Sequence, residues 1–306
     1  MPLHADVPVQ PRFDELHCVV ADQAALGEGA LWSMREQSLY WVDILGHRLM
    51  RLQAASGQVQ EWRLDQEISA IAERRSGAGL LVALRRELAL LDPAAGATAI
   101  TRHAGPEPER SGNRFNDGKC DSRGRLWVGS MDFACQAPTG ALYRFDPDGR
   151  WSRHEDGMVV TNGPTWTLDE STLLFNDTVK GQVWAYDFDR EAGTLSGRRP
   201  WLQLAPADGV PDGMCTDALG RIWIAHWGGS CVSCHHPETA VELGRVRLPV
   251  SQVTSCTFGG PDLRTLYITS ARQGLSAAQL EAEPLAGSLF AVTVDGGGRP
   301  AGTFAA

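Results

Sequence analysis

Four positions carry oxygen donors in a similar local setting: Glu28 in Gly-Glu-Gly, Asn116 in Asn-Asp-Gly, Asn162 in Asn-Gly-Pro and Asp212 in Pro-Asp-Gly. They stand 11, 10, 11 and 10 residues ahead of the first apolar residue of a short β-rich run. One Glu, one Asp and two Asn offer hard oxygen atoms and a formal charge of −2, a donor set for calcium, magnesium or manganese rather than for metals that seek thiolate. Taken singly, these dipeptides are ordinary turn chemistry. Turn chemistry needs no common offset, so the shared phase points to one site assembled from distant segments.

The runs that set the offset are SLYWVD (38–43), GLLVAL (79–84), RLWVGS (125–130), TLLFND (172–177), RIWIAH (221–226) and TLYITS (265–270). With Leu39, Leu80, Leu126, Leu173, Ile222 and Leu266 as equivalent points, the spacings are 41, 46, 47, 49 and 44. Polar segments such as DSRGR and DALGR precede the runs and read as hairpin turns. Aromatic and β-branched stretches such as GALYRFDPDG and GQVWAYDFD follow and read as further strands. No long stretch carries a helical apolar period. Repeats of this size are typical of four-stranded propeller blades. The predicted fold is all-β, a six-bladed β-propeller with a central metal site, as a single domain over residues 1–306. The early strand LHCVVAD (16–22) is expected to complete the last blade and protect its edge. In such a ring, residues at one offset share height and radius, so Glu28, Asn116, Asn162 and Asp212 are expected to converge on the channel mouth from loops. Ser69 and Ser255 hold the same offset in the other two modules.

The chain has 306 residues, 43% hydrophobic and 21% charged, the balance of a globular protein with a core to bury. A net charge of −9 lacks the basic clusters that nucleic acid requires, and it suits a cation. The N-terminus MPLHADVPVQPRFDEL has no basic segment leading into an apolar one, and no membrane-length apolar run occurs. The expected location is cytoplasmic, with neither membrane nor nucleic acid as partner. Seven cysteines, an odd number without an export signal, read mostly as reduced core residues rather than a disulfide framework.

LGEGALW (26–32), NRFNDGKCDSRGRLWVGSMD (113–132), TNGPTWTLDESTLLFNDT (161–178), VPDGMCTDALGRIWIAHWGG (210–229) and FGGPDLRTLYITSAR (258–272), in that order, resemble the senescence marker protein / gluconolactonase family, also called regucalcin-like. The stretch 259–292 is similar to its bacterial sugar lactonases. The resemblance implies a six-bladed propeller and a metal held by Glu28, Asn162 and Asp212. It also implies Asp212 as general base and Arg114 and Asn116 as substrate contacts. Some relatives place an acid a few positions beyond Gly-Ser-Met; here the segment is SMDFACQAPTG, which makes Asp132 or Gln136 the candidate. Asp177 matches an Asp that lines the family's well, and it could equally close a hairpin. The expected cofactor is one divalent ion, calcium first, with zinc, manganese, magnesium or iron(II) as other occupants.

Opening a lactone builds negative charge on a carbonyl oxygen, which a divalent cation stabilises as a Lewis acid. Asp212 would take the proton of the attacking water, and Arg114 and Asn116 would orient sugar hydroxyls. The predicted function is metal-dependent hydrolysis of a sugar lactone to the aldonic acid in carbohydrate catabolism. Two rivals are a propeller that binds calcium or a partner without turnover, and a hydrolase of phosphotriesters. No Gly-x-Ser-x-Gly occurs, and the eight histidines do not stand beside a recognisable nucleophile. His103, His154 and His226 are assigned structural or wall roles, with His226 at a strand end where it could face the well. CVSCH (231–235) has the spacing of haem attachment and of half a zinc site. Without an export signal or a second ligand pair, it reads as an ordinary loop or hairpin.

Overall fold

The structure, a computed structural model, describes residues 10–77 and 79–306. Residues 1–9, on which the reading of the N-terminus partly rests, and Ala78, ahead of the second run, lie outside the described residues.

A first strand, β1 (His17–Val20), is followed by five groups of four. They are β2 (Gly27–Ser33), β3 (Ser38–Asp43), β4 (Arg48–Gln53) and β5 (Val59–Arg63); β6 (Ile68–Glu73), β7 (Leu80–Leu84), β8 (Glu87–Asp92) and β9 (Thr98–Ala104); β10 (Asn113–Cys120), β11 (Leu126–Asp132), β12 (Gly140–Phe145) and β13 (Trp151–Met158); β14 (Thr161–Trp166), β15 (Thr172–Asp177), β16 (Gln182–Asp189) and β17 (Thr194–Gln203); and β18 (Val210–Thr216), β19 (Ile222–Trp227), β20 (Cys231–His235) and β21 (Glu242–Arg247). The last group has β22 (Val253–Gly259), β23 (Thr265–Ser270) and β24 (Leu289–Thr293), and its fourth strand is β1, in the order β1-β24-β23-β22. Each group is an antiparallel meander. The innermost strands β2, β6, β10, β14, β18 and β22 contact one another in turn, and β22 contacts β2, so the six sheets close into a propeller.

The six apolar runs become the second strand of each blade. These strands are covered on both faces because blades stack sheet on sheet, which is why they lack strict polar alternation. Between blades three and four, Trp127, Leu142, Phe175 and Tyr186 interlock with no more than 1% of their surface exposed. Burying a side chain of this size contributes roughly 1.5–3 kcal/mol. The expected closing strand is present: His17 pairs with Ala291 and Cys18 with Phe290.

Blades three and five share a polar anchor. Asp217 accepts from the amides of Leu219 and Arg221, from Arg221 Nε at 2.6 Å and from Trp223 Nε1 at 2.9 Å. Asp121 makes the equivalent bonds to Arg123, Arg125 and Trp127. The Asp thereby closes the first hairpin and fixes the following strand at once.

CVSCH forms β20, where side chains alternate between faces. Cys231, Ser233 and His235 lie on one face, Val232 and Cys234 on the other, so the two thiols do not converge. All seven cysteines are free thiols; Cys135 is exposed, Cys18 half-buried and the rest buried. Among the described residues, no helix is long and apolar enough to cross a membrane.

Candidate metal and substrate site

The donor residues sit inside the innermost strands, not in the loops expected from their turn-like sequences. Pairing of these strands with their neighbours breaks register between Glu28 and Leu31, Phe115 and Gly118, Asn162 and Thr165, and Pro211 and Met214. The same break occurs between Ile68 and Ala70 and between Val253 and Ser255. Such a bulge bends a strand and re-aims its side chains. Repeated in all six blades, it turns one side chain after another toward a common region. Glycine permits the bend: Gly29 has φ +58°, and a Cβ on Gly213 would overlap the Ser255 side chain.

Arg114, Asn116, Asn162 and their neighbours form a directed chain of hydrogen bonds through blades three, four and five. Arg114 Nη1 donates to Asn116 Oδ1 at 2.6 Å and to the Phe115 carbonyl at 2.9 Å. Asn116 Nδ2 donates to Asn162 Oδ1 at 2.9 Å and to the Thr161 carbonyl. Asn162 Nδ2 donates to Thr178 Oγ1 at 3.0 Å, whose hydroxyl donates to the Pro211 carbonyl at 2.9 Å. Each amide is thus oriented, with the Asn162 oxygen directed away from Thr178. Asn176 Nδ2 holds the Asp212 carbonyl at 2.5 Å.

The carboxylates meet beside this chain. Glu28 and Asp212 are each 4% exposed and lie within hydrogen-bonding reach of one another. Asp117, also 4% exposed, acts on both electrostatically. Burial first, then the Asp117 charge, push Glu28 up to about 8, and burial with Glu28 and Asp117 pushes Asp212 up as well. Burial pushes the Asp117 carboxyl up too, although it accepts from the Gly118 and Gly163 amides. Asp212 Oδ1 is buried with no hydrogen-bond partner. Crowded like charges away from water are costly unless a cation is shared among them. Glu28, Asp212 and the amide oxygen of Asn162, which also accepts from Asn116, are hard oxygen donors of the kind a divalent ion takes; among the described residues, no group of three or more His, Cys, Asp and Glu side chains is arranged to hold a metal ion.

Asp117 was missed in the sequence because ordinary strand alternation sends Asn116 and Asp117 to opposite faces. The bulge suspends that alternation, and Asn-Asp-Gly was the available signal. Arg114 is 7% exposed, and burial lowers its basicity while Glu28, Glu67 and Asp212 support its charge. Phe133 lies over Arg85 and Arg114, with centroid distances of 4.8 and 6.0 Å.

The other candidates have their own hydrogen-bond partners. Asp132 accepts from the Gln136 and Ala137 amides, both at 2.9 Å, and so shapes its loop; these bonds hold its carboxyl below the usual range. The Gln136 side chain is exposed. Asp177 pairs with Lys180 at 2.7 Å, while its Oδ1 is buried without a partner. His226 is fully buried in blade five, bonded to the Asp208 carbonyl and to Ser233 Oγ, and makes no hydrogen bond to the cluster. Ser69 and Ser255 are buried at the corresponding bulges.

Residues 26–272 match the family model described as the SMP-30/gluconolactonase/LRE-like region. Regucalcin of Gallus gallus is 37% identical over 284 residues, covering 91% of this chain and 94% of the relative. The solved calcium-binding protein regucalcin of Agrobacterium tumefaciens superposes with a TM-score of 0.90 at 28% identity, covering 96% of this chain and 98% of that one. A gluconolactonase of Xanthomonas campestris, at 23% identity and a TM-score of 0.72, covering 94% and 97%, shares the fold. By sequence over most of its length, the chain belongs to the SMP-30/gluconolactonase/LRE-like family.

Proposed function

We propose that this protein is a metal-dependent lactonase that hydrolyses a sugar lactone to its aldonic acid, with the chain forming one propeller domain. The observation that supports this reading is the placement of Glu28, Asn162 and Asp212 at equivalent bulges of three innermost strands, with one buried carboxylate oxygen of Asp212 unused by the protein.

Glu28, Asn162 and Asp212 would hold one divalent ion, calcium first among the candidates. When bound, such an ion supplies Lewis acidity to a carbonyl oxygen and makes water easier to deprotonate. Asp212 is the general base: its Oδ1 can receive the proton of the attacking water, and Asn176 fixes its backbone. Arg114 has five N–H donors and commits Nη1 to the protein, which leaves Nε and Nη2 for substrate hydroxyls. Asn116 positions Arg114 and Asn162 and completes the polar wall for a polyhydroxylated ring. Asp132 would contact substrate through the oxygen not used by its loop. A serine nucleophile is not required.

The test is acid release from five- and six-carbon aldonolactones and a phosphotriester, before and after metal removal, for wild type, Glu28→Ala and Asp212→Ala. Lactone turnover lost in both variants and on metal removal is expected. Unchanged rates in both variants would end the assignment. The Agrobacterium relative is a calcium-binding protein, which favours a second reading, binding without turnover. Folded, metal-loaded protein inert on every lactone would select it.

A further inference from the structure

A cavity of about 320 Å³ lies on the propeller axis beyond the acid and amide cluster. Every innermost strand contributes to its wall, through residues in and after the bulges, and the C-terminal segment 299–303 completes it. That segment is anchored by Phe304, which is 2% exposed, stacks on Phe145 and exchanges backbone hydrogen bonds with Glu73 and Arg75.

We propose that this chamber is a second binding site, separate from the lactonase centre, for a small monocarboxylate with an apolar body. The volume is at the lower end of the range for small-molecule pockets. Leu31, Ile71, Trp166 and Phe258 supply apolar wall. Three cations, Arg75, Lys119 and Arg299, face two acids, Asp117 and Glu170. The acids are already engaged. Glu170 takes Ser122 Oγ and Arg299, and Asp117 accepts two backbone amides and adjoins the cluster above. Lys119 Nζ donates to the Met214 carbonyl at 2.5 Å and stands 4.0 Å from Asp117. An ammonium has three N–H donors, so it retains capacity for a ligand carboxylate. Three cations against two acids leave the lining a formal charge of +1, in a chain of net charge −9. The wall also carries the hydroxyls of Ser122, Thr165, Thr216, Ser255, Thr257 and Thr303, of which Thr165 and Thr216 bond one another at 2.8 Å and Ser122 bonds Glu170. Arg75, Ser122 and Pro300 are exposed at the rim, which gives entry from the face opposite the cluster.

The test titrates the full chain calorimetrically, in calcium-containing buffer, with hexanoate and with 1-hexanol. Expected is saturable binding of one hexanoate per chain, at least tenfold tighter than hexanol. Lys119→Met should weaken hexanoate by roughly tenfold, the scale of one lost charge-assisted hydrogen bond. Thr303→Trp, which puts an indole in place of a small lining side chain, should abolish binding. A crystal with 6-bromohexanoate should place the bromine between Trp166 and Phe258. No saturable hexanoate binding in the millimolar range, equal binding of hexanol, or bromine located at the acid and amide cluster would each overturn the proposal. If Lys119→Met fails to fold, the Thr303→Trp titration and the bromine position decide. Loss of lactonase activity in Glu28→Ala with hexanoate binding intact separates this site from the catalytic reading.

Discussion

Replacing Glu28 by glutamine exchanges a buried carboxylate for an amide of the same shape, and opposite effects are expected without and with metal. Without metal, Glu28 titrates near 8 rather than at its ordinary 4.5. Between these values the folded chain keeps a proton that the unfolded chain has released, so the metal-free protein is most stable below the lower value and loses stability as pH rises toward the upper one. One group contributes a slope of about 1.4 kcal/mol per pH unit in this window, so the total loss amounts to several kcal/mol. Glu28→Gln should remove most of it and leave the metal-free variant more stable than wild type at mildly alkaline pH. With metal the order reverses. An ion at a hundred times its dissociation constant stabilises the folded state by about 2.7 kcal/mol, roughly 4 °C in Tm for a chain of this size. The variant should forfeit that gain. The assay is thermal unfolding by circular dichroism at acidic and alkaline pH, in chelator and in excess calcium, manganese or zinc. A metal-free variant less stable than wild type at alkaline pH, or an equal metal-induced rise in both proteins, would refute the reasoning.

Asp217→Asn removes the charge facing Arg221, whose side chain is fully buried, and should cost about 3–5 kcal/mol in urea denaturation; a loss well below that would mean that Asp295 alone satisfies the guanidinium. Gly213→Ala forces a methyl group against Ser255 and should destabilise by roughly 1–3 kcal/mol, with partial rescue by Ser255→Gly in the double variant. His154, pushed down to about 4 from 6.5 by burial and then by Arg144, is neutral in the folded chain; its contribution is complete above the ordinary value and is lost as pH falls through the window between the two. His154→Gln should therefore flatten the acid limb of a stability-versus-pH curve, and an unchanged limb would assign that limb to other groups.

The ring was legible because each blade repeats one arrangement: a polar hairpin, then a run such as RLWVGS or RIWIAH that must be apolar on both faces. The equivalent strand positions of Glu28, Asn116, Asn162 and Asp212 were legible because a propeller converts equal sequence phase into equal position. The bulges were not legible, since Gly-Glu-Gly and Pro-Asp-Gly have the composition of a turn whether they reverse the chain or merely kink it. Asp117 was hidden by the same device. The Asp-x-x-Gly-Arg-x-Trp pattern at 121–127 and 217–223 was present to be read, but only pairing and burial reveal that its Asp serves the turn, the guanidinium and the indole together. Asp132 illustrates the converse: its position near Gly-Ser-Met suggested substrate, and local geometry has given one of its oxygens to the loop.

The pairing of β1 with β24 ties the order of folding to the order of synthesis. The outermost strand of blade six emerges from the ribosome first, and its partner emerges after some 270 further residues, so β1 must wait unpaired while five blades assemble. A nascent chain stopped short of Leu289 would hold two exposed edges, one at each terminus, and a tendency to join them with a neighbouring molecule.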